Sequence, residues 1–228
     1  MTSSPATVAP SGTLAAQALA CRRGRRRLFS GLDLTLPPGR LTWLRGANGS
    51  GKTSLLRILA GLSAPAEGQV LWNGQPLARA GDAARERLHY IGHANALKDD
   101  LTLAEALAFL AQLQGLDAPQ RRATAALERL GLASRAGALV RTLSQGQRRR
   151  GALARLALDE ATPCTWLLDE PFDALDQASV ATLAALIQAQ AARGGAVLFT
   201  SHQAVPLAGL HTVDLGAAPA RSADRAAA

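Results

Sequence analysis

Only two of the 25 basic residues in this 228-residue chain are lysines, and only two residues are cysteines. Cys21 and Cys164 stand far apart in unrelated surroundings, so no disulfide framework is available to staple the fold. The pair fits reduced thiols of a cytoplasmic protein and carries no assigned role. Long hydrophobic runs are missing too. Apolar residues make up 48% of the chain, yet unbroken stretches of the TWLL kind fall far short of the roughly 20 residues that span a bilayer. A membrane-spanning subunit is not expected; membrane attachment through a partner remains open. The opening MTSSPATVAPSGT lacks the basic start, apolar centre and cleavage site of an export signal, so secretion is not expected either.

The net charge of +8 and the run CRRGRRR at 21–27 invite a nucleic-acid reading. The arginines, however, are scattered through an alanine-rich chain, which reads as compositional bias, and no nucleic-acid partner is expected. Against that background Lys52 marks a position that wants a compact point charge and not a planar fork.

Length allows one sizeable domain with a compact subdomain. Residues 1–13 and 216–228 are small, polar and aperiodic and read as disordered tails. Between them, LDLTLPPGRLTWL reads as two strands around a Pro-Pro-Gly turn, followed by a glycine-rich loop and a helix over about 52–60. GQVLWNG and RLHYIGH read as strands. TLAEALAFLAQLQGL, PQRRATAALERLGL and QGQRRRGALARLAL carry helical spacing, and CTWLLDE and GAVLFTSH read as buried strands flanking a helix that stops at Gly194 and Gly195. The expected architecture is α/β, interrupted near 98–160 by a helical insertion.

Chemistry concentrates in a few motifs. GANGSGKT fits G-x-x-x-x-G-K-[ST], with Gly46, Ala47, Asn48, Gly49, Ser50, Gly51, Lys52 and Thr53 followed by Ser54. Glycines let successive N–H groups turn toward phosphate oxygens, the following helix adds its positive end, Lys52 reaches the terminal phosphates and Thr53 offers a hydroxyl to Mg²⁺. CTWLLDE ends in adjacent carboxylates that strand alternation points apart, so Asp169 can help hold the metal while Glu170 polarises a water.

LSQGQ at 143–147 then resembles the signature of the ATP-binding-cassette (ABC) ATPases, and the resemblance covers about 14–215. It implies a P-loop NTPase of the ABC type: a mixed-sheet core, an antiparallel β-subdomain and an inserted helical subdomain. By the same resemblance DEPFDALD is a Walker B and D-loop stretch ending at Asp176, and His202 is a switch residue at the γ-phosphate. Leu143, Ser144, Gln145, Gly146 and Gln147 act across a dimer on the ATP of a second cassette. Two positions depart from the general pattern. His93 stands where a coupling glutamine is usual, and Arg23 stands where an aromatic usually stacks on adenine; an arginine can also stack on a base.

The combination of RGANGSGKTSLLRILAGL, YIGHANALKDDLTLAEAL and WLLDEPFDALD is similar to the cassette ATPases of bacterial cytochrome c maturation. That likeness implies ATP hydrolysis with Mg²⁺, a peripheral place on the cytoplasmic face of the inner membrane, a CcmB-like transmembrane permease with associated maturation proteins, and haem export or haem-chaperone release as the driven process. Nothing resembles a haem ligand set, and His89, His93 and His211 are assigned none. The alternatives are the ATPase of another ABC import or export system, or an ABC ATPase handling nucleic acid. The latter is disfavoured because no sustained heptads separate the glycine loop from the signature.

Overall fold

A computed structural model of the chain describes residues 12–215; the segments read as tails fall, apart from residues 12 and 13, outside the described residues. The strands are β1 (Leu14–Arg23), β2 (Arg26–Leu36), β3 (Leu41–Arg45), β4 (Glu67–Trp72), β5 (Gln75–Pro76), β6 (Leu88–Ile91), β7 (Thr165–Leu168), β8 (Ala196–Thr200) and β9 (Leu210–Asp214). They form two sheets. One is antiparallel in the order β2-β1-β4-β5, and the other is parallel in the order β6-β7-β8-β3-β9. The antiparallel sheet is the β-subdomain that the resemblance implied, while the core sheet, expected to be mixed, is parallel throughout the described residues because each of its strands returns by a crossover.

The parallel sheet is covered on both faces, as its nearly continuous apolar strands require. Alternation along each strand divides its side chains between two cores. Leu44, Leu167 and Leu198 join Leu55, Leu56 and Leu59 of helix α1 (Lys52–Leu59) and the inner face of the antiparallel sheet, including Leu14, Leu36 and Trp72. Their neighbours Trp166, Leu168, Val197 and Phe199 pack the other way, into a second cluster. There they meet Leu183, Leu186 and Ile187 of helix α6 (Gln177–Ala192). Trp43 stacks on Phe199 at 6.4 Å and Phe172 meets it edge-on at 5.9 Å.

A short helix, α2 (Gly81–Arg85), precedes β6. Between β6 and β7 lie α3 (Leu103–Leu113), α4 (Pro119–Arg129) and α5 (Gln145–Ala154), which share the second cluster through Leu107, Ala111, Ala123, Leu127 and Leu153. Their starts are written locally. Thr102 and Glu105 form a capping box at α3, Ser144 and Gln147 form another at α5, and Pro119 opens α4. Asp176 caps α6 by accepting from the Ser179 N–H at 2.8 Å.

β1 is irregular, with register shifts around residues 16–21 and a positive φ of 46° at Ala18. Gly68 on β4 fits against that bulge. Its φ is +81°, and a Cβ there would lie 2.3 Å from the Gln17 carbonyl oxygen and 2.4 Å from that of Ala18. Gly68→Ala is therefore expected to destabilise the protein by at least about 1–3 kcal/mol, the cost of a non-glycine residue held in a strained conformation. Chemical denaturation measures this; a variant as stable as the parent would show that β1 and β4 can separate at no cost.

Candidate nucleotide site

Parallel strands carry their chain ends to a common edge, and the loops leaving the carboxyl ends of β3, β6, β7 and β8 gather there. They enclose a cleft of about 470 Å³ lined by the loop after β3 (Asn48, Gly49, Gly51, Lys52, Thr53, Ser54), by His93 after β6, by Asp169 and Glu170 after β7, and by His202 after β8. The β1–β2 hairpin closes one side with Arg23, Arg26 and Leu28. Residues scattered over 180 positions of sequence thus meet because four strands end together.

The glycine loop is shaped by close approaches. Gly46 (φ +147°) has no room for a Cβ, which would meet the Leu215 carbonyl oxygen at 2.7 Å, and Gly51 (φ +107°) lies under Leu28 and Phe29 of β2. Gly51 caps α1 without a side-chain acceptor, so the first N–H groups of the helix face the cleft unoccupied by any capping group. Lys52 is buried, and its Nζ donates to the carbonyl oxygens of Gly46 (2.8 Å) and Ala47 (3.3 Å). The ammonium is thereby stationed over the loop.

Opposite the lysine stand the carboxylates. Asp169 is 2% exposed, and its Oδ1 accepts from the Thr200 hydroxyl at 2.9 Å. That hydroxyl also accepts from the Glu170 N–H at 2.8 Å. Glu170 adopts a left-handed backbone (φ +47°), and its Oε1 lies 3.3 Å from His202 Nε2. Its Oε2 is buried without a hydrogen-bond partner. Burial raises the Glu170 pKa above its ordinary value, and the nearby Asp173 and Asp169 charges add to the rise while His202 and Lys52 oppose it. A carboxylate held this way is a competent proton acceptor facing the lysine-bearing loop.

Among the described residues no cluster of three or more His, Cys, Asp or Glu side chains could hold a metal by itself. Thr53 and Asp169 nevertheless supply hard oxygen donors beside a phosphate-shaped loop, which suits a magnesium ion that shares its coordination with phosphate oxygens.

The cleft brings together Arg23, His93, Asp169, Glu170, His202 and the loop residues from 48 to 54, with Gly46 and Ala47 at the loop's base. Leu143 to Gln147 and Asp176 are not among its lining residues. Leu143 is buried in the core, while Ser144 is exposed at the start of α5, where its hydroxyl accepts from the Gln147 N–H at 3.2 Å. Gly146 packs against the 170–176 segment, where a Cβ would sit 3.1 Å from the Ala174 carbonyl oxygen. The sequence motifs did not single out Arg26, Leu28, Thr200 or Arg149. Arg149 had a readable signal: helical spacing places it on the stripe of the buried Leu153, an inward position that ordinarily holds an apolar residue.

The fold and this cleft define a nucleotide-binding cassette, and the chain belongs to the ABC transporter family, whose model matches residues 29–173. It is an ATP-binding and ATP-hydrolysing member of that family. Within the family it is similar to the cytochrome c biogenesis ATP-binding export protein CcmA of Albidiferax ferrireducens, at 46% identity over 92% of this chain and 95% of that one. The CcmA of Dechloromonas aromatica is 48% identical over 84% of this chain and 93% of its own length. A solved ATP-binding subunit of an ABC transporter superimposes with a TM-score of 0.74 at 26% identity, covering 83% of this chain and 79% of that one.

Lys52→Ala removes the one compact cation stationed at the loop and is expected to weaken ATP binding by about 1.5–3 kcal/mol, the worth of a hydrogen bond to a charged group. Equilibrium titration with ATP measures it, and unchanged affinity would remove Lys52 from phosphate binding.

Proposed function

We propose that the chain is the ATP-hydrolysing subunit of a membrane ABC complex in c-type cytochrome biogenesis, coupling hydrolysis to haem export or to release of a haem chaperone. Support comes from CcmA-type relatives that align over 84–92% of the chain at 46–48% identity. The observation that carries the ATPase chemistry is the Glu170–His202 pair, 3.3 Å apart and facing Lys52 across one cleft.

In this reading the backbone N–H groups from Gly49 to Ser54 and the Lys52 ammonium hold the phosphates, and Arg23 lies along the base. Thr53 and Asp169 hold Mg²⁺, which when bound neutralises phosphate charge. Glu170 accepts a proton from the attacking water while His202 fixes the γ-phosphate and the Glu170 carboxylate. Ser144 and Gly146, outside the cleft of their own chain, serve the ATP of a second copy, to which the N-terminal end of α5 presents free N–H groups and no acidic residue. Asp176 faces that junction. His93 borders the cleft from the loop that would touch a CcmB-like permease. Among the described residues no helix is long and apolar enough to cross a membrane; in this reading the subunit is peripheral, held at the cytoplasmic face by its partner.

Glu170→Gln is expected to keep ATP affinity, lose turnover and accumulate a closed ATP-bound dimer, seen by gel filtration with MgATP. Near-parental turnover would take Glu170 out of its role. In the parent, activity requires the ionised carboxylate, so turnover should be retained at neutral pH and lost as pH falls through the raised Glu170 pKa. The acid limb of kcat/KM should accordingly lie above the ordinary carboxylate range; a limb within that range would contradict the role of burial. For the biological process, replacing the chain by its Lys52→Ala form in its source cells is expected to abolish covalent haem on c-type cytochromes in a haem-stained gel. Normal staining would leave an ABC ATPase serving another transport system.

A further inference from the structure

Arg149 lies five residues into α5 from the exposed Ser144, and it is 4% exposed. A guanidinium at that depth ordinarily meets a carboxylate. Here Nη1 and Nη2 end on three main-chain carbonyls, while Nε is buried without a hydrogen-bond partner. Nη1 donates to Gly92 O at 2.9 Å, and Nη2 donates to Asp169 O at 2.9 Å and to Glu170 O at 2.6 Å. Those oxygens terminate β6 and β7, and they belong to the peptides that carry His93 and Glu170 into the cleft. Burial depresses the arginine's pKa, and the charges of Asp173, Asp169 and Glu170 counter it. Desolvating this side chain is costly, and the position is held by what the guanidinium binds: an apolar residue of similar volume would leave three main-chain carbonyls short of a donor.

What the arginine supplies is a hold on a strained backbone. Glu170, at φ +47°, has its N–H fixed by Thr200 and its carbonyl fixed by Arg149. With both sides of the residue pinned, its carboxylate is directed at His202. The same guanidinium grips the peptide before His93, so one side chain ties α5 to two walls of the cleft.

We propose that Arg149 is a positioning residue for ATP hydrolysis: it fixes Glu170 and makes a displacement of α5, such as an anion at the Ser144 end would cause, felt at Glu170 and His93. The proposal rests on the reading of Glu170 as the proton acceptor. Its test uses the full chain in membranes with its partner subunits, comparing kcat and KM for MgATP in the parent, Arg149→Met, Arg149→Lys and Glu170→Gln. For Arg149→Met a loss of about 100-fold in kcat is expected, the scale of a misplacement near 1 Å, with KM within about threefold and a lowered thermal stability from the carbonyls left without a donor. Arg149→Lys, which keeps the charge without the planar fork, should recover part of the loss.

A kcat within about twofold of the parent for Arg149→Met, or an effect confined to KM, overturns the proposal while Glu170→Gln remains inactive. An active Glu170→Gln instead removes the premise. Should Arg149→Met fail to fold, Arg149→Lys decides. Lower kcat at unchanged KM, with faster amide exchange confined to the segments around Gly92 and Glu170, supports the role, and parental values of both overturn it.

Discussion

A parallel sheet with apolar residues on both faces has to be covered twice, and most of this molecule follows from that requirement. One face is met by α1 and the antiparallel sheet behind it, the other by α6 and the cluster that includes α3, α4 and α5. Because α1 must lie flat against Leu44, Leu167 and Leu198, the loop that joins it to β3 is drawn tight over the strand ends. Gly46 and Gly51 are the positions where that tightness leaves no space for a side chain. The N-terminal end of α1 is thereby aimed across the edge at which β7 and β8 deliver Asp169, Glu170 and His202. The cleft is thus a product of how the sheet is covered.

The parts that could be read in advance are those in which chemistry and local structure agree. The glycine loop, the apolar strands ending in carboxylates, and the capped helices announce themselves within a dozen residues each. β1 did not. Its sequence, LAAQALACRR, is alanine-rich, and its bulges break the period-two alternation by which strands are recognised. β9 was missed for a different reason: it is an edge strand of LHTVD with mostly exposed side chains, and its pairing with β3 depends on a partner far back in the chain. Arg149 was hidden by composition, standing as the middle of three arginines in a chain where arginine is commonplace.

Arginine abundance also has a positional meaning that a net charge cannot convey. The hairpin residues Arg22, Arg23, Arg25, Arg26 and Arg27 are exposed, and Arg23 and Arg26 border the cleft. An anionic nucleotide entering there meets positive potential from the hairpin on one side and from α1 on the other. Part of what looks like a diffuse basic bias is therefore local to the site. In the proposed reading a base that lies against the hairpin would meet the guanidinium planes of Arg23 and Arg26, which can stack on it.

The arrangement around Glu170 shows why burial and strain belong together in this cleft. A carboxylate free to turn toward solvent would recover hydration and the ordinary carboxylate pKa. Thr200 and Arg149 hold the main chain on either side of it, which leaves Oε2 buried and unpartnered and keeps the carboxylate's pKa raised. The two clamps come from different places: Thr200 from the neighbouring strand, fixed in the sheet, and Arg149 from α5, outside the sheet. A clamp with one fixed jaw and one carried on a separate helix can open or close without disturbing the sheet. The proposed link from α5 to the carboxylate therefore runs through Arg149, and Ser144, exposed at the N-terminal end of that helix, is where a push would be received.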